Sequence, residues 1–271
     1  MVKGNTSNVE IVGSNPTAAT NKRDTNEILD TIMIVIPDVH GRTFWRQAVN
    51  EYLGKEHILF LGDYLDPYAY EGITPADAYK VFHEIIDIKK THPNDITLLM
   101  GNHDLHYLNP DMEGGRLDYK RREIIIKDIT DNANIFRIAK AVKIGCKKYL
   151  FTHAGVKSAW LQAHKEELGN PKLADITERL NAMWYDIDKR PLLLQMMGDV
   201  SYSRWGNRPY GSPVWNDVDD LATDHDEVPG FVQVFGHTQQ MSKPVICDYY
   251  MCLDVRCAFR LSDNNPIQTL M

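Results

Sequence analysis

The chain reads as an α/β protein, and three features of the sequence say so. Short apolar, β-branched runs recur, beginning with Ile32–Pro37 (IMIVIP), Ile58–Leu61 (ILFL) and Ile96–Met100 (ITLLM). Segments with helical spacing separate them, and polar, chemically active residues follow each run rather than interrupt it. Continuous apolar runs of this length fit buried strands, and strands alternating with helices fit a largely parallel sheet. The 271 residues, 43% hydrophobic and 25% charged, have an ordinary globular composition.

The elements follow in order. Residues 1–27 are polar and aperiodic, and their GSNPTAAT stretch is similar to a translated transfer-RNA T-arm. They are expected to be a disordered or non-native extension, with a native start near Met33 and one domain over 28–271. Phe44 to Leu53 has helical spacing. Thr74-Pro75-Ala76-Asp77 opens a helix, with Thr74 as N-cap and Pro75 in its first position, and Pro93 ends it. Arg116 to Asp131 is expected to be an amphipathic helix with Ile124, Ile125 and Ile129 on one side. Phe136–Ile144 and Lys148–Phe151 flank Gly145 as a hairpin. Helices are expected near Lys157–Leu168 and Ala174–Asp186, and residues 198–229 read as one long loop. Phe231–Phe235 is a strand, and Pro244–Phe259 reads as a closing hairpin.

Composition excludes several functions. A net charge of −7 argues against a nucleic-acid platform. No apolar run approaches the ~20 residues that cross a bilayer, and no signal-peptide core is present, so a soluble, cytoplasmic protein is expected. Cys146, Cys247, Cys252 and Cys257 form no C-x-x-C pair and are expected to be small core residues.

Five strands end in candidate metal ligands. IMIVIP runs into Asp38-Val39-His40, ILFL into Gly62-Asp63-Tyr64-Leu65-Asp66, and ITLLM into Gly101-Asn102-His103-Asp104. Lys148–Phe151 runs into Thr152-His153-Ala154-Gly155, and Phe231–Phe235 into Gly236-His237. Ligand sites of α/β sheets lie at the C-terminal strand edge, so one rim could collect all five. Oxygen and imidazole donors without thiolate suit two divalent ions, Mn²⁺ first, with Fe or Zn²⁺ compatible. Gly62, Gly101 and Gly236 are expected to let the backbone turn tightly beneath that site. Bound cations would also supply the positive charge that an acidic protein needs against an anionic substrate.

These motifs resemble the calcineurin-like metallophosphoesterases, within them the serine/threonine protein phosphatase branch, over roughly Ile32 to Phe259. The resemblance implies a four-layer αββα sandwich with two mixed β-sheets, and hydrolysis of a phosphate monoester by direct attack of metal-bound hydroxide. It implies that Asp38, His40 and Asp63 hold the first metal, with Asp63 bridging to a second held by Asn102, His153 and His237. Gln239 stands where many members carry a further His. His103 would protonate the leaving oxygen, oriented by Asp66, which lowers the barrier to expelling an alkoxide.

The pattern departs in one place. Protein phosphatases carry a phosphate-binding Arg after the second Asp, whereas Asp66 is followed here by Pro67-Tyr68. Arg204 and Arg208, in the long loop, and Arg42 are the candidates to replace it. Pro213-Val214-Trp215-Asn216-Asp217 is similar to the substrate-channel segment of that branch. The run from Asn102 to Leu108, with His106 read as local packing, and His153-Ala154-Gly155-Val156 are similar to symmetrical diadenosine tetraphosphate hydrolases, which leaves a phosphoanhydride substrate open. A binding module that kept the fold and lost activity is the third reading.

Overall fold

The computed structural model describes residues 32–112, 116–224, 226, 228–265 and 267–270. The expected extension over 1–27 lies outside the described residues. The chain runs β1 (Met33–Ile36), α1 (Trp45–Tyr52), β2 (His57–Phe60), α2 (Pro75–Thr91), β3 (Ile96–Leu99), α3 (Asn102–Leu105), α4 (Arg122–Asp131) and β4 (Phe136–Arg137). It continues through β5 (Lys140–Ile144), β6 (Lys147–Phe151), α5 (Ser158–Ala163), α6 (Ile176–Tyr185), α7 (Arg190–Met197) and α8 (Val218–Asp224). The last strands are β7 (Val232–Phe235), β8 (Val245–Ile246), β9 (Tyr250–Cys252), β10 (Ala258–Leu261) and β11 (Gln268–Leu270).

Two mixed sheets result. The first has the order β11-β10-β1-β2-β3-β4, with β1 to β4 parallel, and the second β5-β6-β7-β9-β8, with β6, β7 and β9 parallel. Strand alternation assigns the two faces of the first sheet. Met33, Val35, Leu59, Leu61 and Leu99 meet Tyr149, Phe151, Val234 and Met251 of the second sheet. Ile34, Ile36, Ile58, Phe60 and Leu98 pack outward against α1, α2, α4, α6 and α7. On the far side, Val218 and Leu221 of α8 cover Phe235, Tyr250 and Cys252. The result is the four-layer αββα sandwich.

Local chemistry explains the elements that matched. The Thr74 hydroxyl accepts the Asp77 N–H at 3.1 Å, with Pro75 in the first turn, so α2 starts where its cap stands. Several expectations are corrected. Only β5 and β6 form the hairpin around Gly145; Phe136–Arg137 pairs with β3 in the other sheet. The chain changes sheet at Ile138-Ala139, whose N–H groups donate to the Asn181 Oδ1 at 2.9 and 3.3 Å. The closing hairpin is β8–β9, and β10 crosses to pair antiparallel with β1. The helix expected from Arg116 starts at Arg122, and Ile124 is exposed while Ile125 and Ile129 are buried. The first of the two later helices ends at Ala163, well short of Leu168. The long loop contains α8, and α7 carries no sequence signal strong enough to have been expected. Of the cysteines, Cys252 alone is a buried core residue; Cys146 is exposed in the β5–β6 turn, and all four are free. No helix among the described residues is long and apolar enough to cross a membrane.

Candidate metal centre

Every candidate ligand stands just beyond the C-terminal end of a strand: Asp38 and His40 after β1, Asp63 after β2, Asn102 after β3, His153 after β6 and His237 after β7. The ends converge because backbone bonds tie their loops together. Asp63 O accepts Val39 N at 3.1 Å and His40 N at 2.6 Å, and Asp104 accepts Asp63 N, Tyr64 N and Gly101 N at 2.8–3.0 Å. The two sheets are joined at the same rim. His153 Nδ1 bonds Leu61 O at 2.9 Å, and the His237 N–H reaches both Asp38 carboxylate oxygens at 3.1 Å.

The side chains form two groups that share Asp63. Asp38, His40 and Asp63 make one and Asp63, His153 and His237 the other, each with candidate ligand atoms within 4.8 Å of one another. The His40 Nε2 and His153 Nε2 atoms stand 3.4 and 3.5 Å from Asp63 Oδ2. Asn102 Oδ1 meets His153 Nε2 at 2.9 Å and His237 Nδ1 at 3.0 Å, which adds an amide oxygen to the second group.

Electrostatics supply a test of whether cations fit. Burial drives the Asp38 carboxyl up and would do the same to Asp63, but His153, ahead of His103, holds Asp63 well below the ordinary range. Burial would depress His153, yet Asp63 and Asp38 raise it to about 10. Burial lowers His40 to about 3, and burial with the nearby Arg204 lowers His237. Two buried carboxylates thus recruit a proton onto the one imidazole between them, while the other two imidazoles stay neutral with lone pairs available. The buried His237 Nε2 has no hydrogen-bond partner. Neutral imidazoles, carboxylates short of counter-charge and an unpartnered ring nitrogen form a donor set suited to divalent ions.

Beside the groups lies a dyad. His103 Nδ1 is 3.0 Å from Asp66 Oδ2, and the His103 ring packs edge-on to His40 at 5.2 Å. Burial would raise the Asp66 carboxyl, but hydrogen bonds from His103 and His106 hold it below its ordinary value.

The three arginines expected from the sequence take different positions. Arg42 is nearly buried, forked onto Glu71 at 2.8 and 3.0 Å, and reaches Asp38 O at 3.2 Å. Arg204 donates to Thr238 Oγ1 at 2.8 Å and to His237 O at 3.4 Å, and pairs with Asp217 at 2.5 Å. Arg208 is paired with Asp199 at 3.1 Å, whose other oxygen holds His164, and no described contact links it to the centre. A fourth arginine was not anticipated. Arg116 stands 2.8 Å from His103 Nε2, donates to Asp66 O at 2.8 Å, and lies 3.6 Å above the Tyr68 ring. Its sequence signal was indirect: a guanidinium missing after Asp66, and an arginine left outside the helix once α4 starts at Arg122 rather than Arg116. Asp254, beyond β9, is a second residue the motifs did not reveal; it is buried with an unpartnered Oδ1. Trp215 packs edge-on against His237 at 5.5 Å, so the Pro213–Asp217 segment borders the centre.

A two-sheet sandwich with a histidine- and carboxylate-lined rim defines a metallohydrolase class. The calcineurin-like phosphoesterase family matches residues 33–241, and the chain belongs to it and is a phosphoric ester hydrolase. No curated protein sequence matches significantly. Among solved structures, a point mutant of a cold-active protein tyrosine phosphatase is similar at 17% identity and a TM-score of 0.54, covering 89% of this chain and 80% of that one. A protein serine/threonine phosphatase from Saccharomyces cerevisiae with similarity to human phosphatase PP5 is similar at 16% identity and a TM-score of 0.50, with the same coverage. Both likenesses are of fold.

Proposed function

We propose that the protein is a phosphomonoesterase dependent on two divalent ions, Mn²⁺ in the first instance, acting on phosphorylated side chains in the manner of serine/threonine protein phosphatases. The observation that carries this reading is the membership of Asp63 in both ligand groups with the His103–Asp66 pair alongside. Asp38, His40 and Asp63 would hold one ion, and Asp63, Asn102, His153 and His237 the other. When bound, such ions polarise phosphoryl oxygens and lower the pKa of a water.

The chain's own residues do the rest. His103 gives the proton at Nε2 to the leaving alkoxide oxygen, and Asp66 fixes the ring by accepting at Nδ1. Arg116 touches that same Nε2, which accepts from the guanidinium in the free protein; substrate phosphate would draw the guanidinium away, and Nε2 then takes a proton from water and passes it to the leaving oxygen. Arg116 is therefore assigned the phosphate contact that Asp66-Pro67 omits, with Arg204 on the opposite side near His237. Arg42 braces Asp38 through its backbone oxygen, and Trp215 shields His237 from water. The diadenosine polyphosphate reading has less support, because His106, part of that resemblance, is fully buried against Asp66 rather than facing substrate.

The test is kcat/KM of the Mn²⁺-loaded enzyme on phosphoserine and phosphotyrosine peptides and on diadenosine tetraphosphate. Peptide turnover is expected, with kcat falling roughly 10²–10⁴-fold in His103→Asn. Arg116→Ala should raise KM roughly tenfold or more, as loss of a charge-assisted contact of ~1.5–3 kcal/mol requires. Inactivity of the wild type with every divalent ion would remove the proposal. A ~100-fold preference for the dinucleotide, about 2.7 kcal/mol, would redirect it to a phosphoanhydride.

A further inference from the structure

The Asp66 carboxylate has three partners where orienting one imidazole requires only one. His103 Nδ1 lies 3.0 Å from Oδ2, and His106 Nε2 lies 2.5 Å from the same oxygen. The Tyr107 hydroxyl donates to Oδ1. Asp66 and His106 are almost fully buried, as is Tyr107. An ionised carboxylate only accepts, so the His103 Nδ1 facing it donates, while His106 Nε2 packs against the same oxygen at ion-pair distance.

We propose that His106 and Tyr107 are positioning residues that lock the Asp66 carboxylate in one plane, so that it holds the His103 ring with Nδ1 protonated and Nε2 open to the leaving group. This rests on the role proposed for His103. The terminal torsion of an aspartate is soft, so a carboxylate bonded through one oxygen can swing about it. With Oδ1 held by Tyr107 and Oδ2 by His106, that freedom is gone and the remaining acceptor direction points at His103. The brace is itself held: the Tyr107 oxygen accepts the Asp118 N–H at 2.9 Å. The spacing is helical. His103, His106 and Tyr107 stand at i, i+3 and i+4 along α3 and the turn after it, so one short helix presents acid and braces on the same face. His106 and Tyr107 reach substrate through Asp66 and His103 only. They are thus expected to affect turnover more than binding.

Three variants of the full-length, metal-loaded enzyme decide it. His106→Phe fills the space without a donor, His106→Gln keeps an N–H, and Tyr107→Phe removes one hydroxyl. Expected are kcat losses of roughly tenfold or more in His106→Phe and Tyr107→Phe with KM within about threefold, and His106→Gln within about threefold of wild type. Wild-type kcat in both donor-free variants, or equal impairment of His106→Gln and His106→Phe, overturns the proposal. Should His106→Phe fail to fold, Tyr107→Phe decides by the same criterion. A second readout does not depend on turnover. In Zn²⁺-loaded Arg116→Ala protein, which lacks the guanidinium that donates to Nε2, ¹⁵N NMR of the His103 ring should show the Nδ1-protonated tautomer, and a tautomer mixture once Tyr107→Phe is added. An unchanged His103 ring in that double variant overturns the positioning role even if no phosphoester is ever hydrolysed, whereas an inactive wild type with the expected ring signals in these variants refutes the functional reading alone.

Discussion

At the residue scale the centre is built on unfavourable backbone. His40, Asp63, Asp66 and His237 have φ of +45°, +53°, +56° and +64°, a region that costs a non-glycine residue roughly 1–2 kcal/mol. The strain is held by bonds already described: Asp104 accepts from Asp63 N, and Asp38 from His237 N. The D-x-H and G-D-x-x-D spacings and the Gly236-His237 pair made these residues legible, because chemistry fixes residue type at a strand end. Arg116 was not legible, since a long side chain can arrive from anywhere in the fold. The reason for two glycines also differs from the expected one. Gly62, with φ of +110°, does turn as anticipated, but Gly101 and Gly236 have no left-handed φ. They are needed because a Cβ on Gly101 would stand 2.1 Å from Asp63 Oδ1, and one on Gly236 2.1 Å from Asp38 Oδ1. Gly101→Ala should therefore displace the Asp63 carboxylate and weaken metal binding roughly 10–100-fold, read by calorimetric Mn²⁺ titration. An unchanged affinity would mean that Asp63 is not a ligand or moves without consequence.

At the element scale, periodicity located most strands and the helices α1, α2 and α6, and it failed where partner choice was decided elsewhere. Phe136–Ile144 reads as one strand, yet its two ends belong to different sheets. The divide comes from Asn181 on α6, whose side chain accepts from Ile138 N and Ala139 N and donates to Ala139 O at 2.9 Å. A contact across more than forty residues leaves no local signal, and the same holds for β10, which leaves its neighbour β9 to pair with β1. Ile138 and Ala139 are fully buried, so no water can replace the amide. Asn181→Ala should cost about 3 kcal/mol, from stranding buried backbone groups at ~1–3 kcal/mol each, or roughly 6–12 °C in Tm. A loss below about 1 kcal/mol in urea unfolding would show that the crossing is held by packing alone.

At the scale of the whole molecule, the candidate ligands divide between the layers. Asp38, His40, Asp63 and Asn102 extend from the first sheet, and His153 and His237 from the second. Away from the rim the sheets meet through apolar contacts such as Val35, Leu59, Phe151 and Val234, which resist separation without fixing one sheet's sliding over the other. Ions bound in both groups would join the sheets at the edge where catalysis needs sub-ångström placement. Because such ions bind the folded chain and not the unfolded one, an Mn²⁺ concentration of 100 Kd should add about 2.7 kcal/mol of stability. Chelation should then lower Tm by roughly 5–11 °C, and the drop should vanish in Asp63→Asn, which removes a carboxylate from both groups. Hydrogen exchange locates the effect: chelation should speed amide exchange at the rim segments after β6 and β7 more than in α1 or α2. Equal acceleration throughout would assign the metal's contribution to global stability alone, and a Tm indifferent to chelator would mean that the two sheets are held without it.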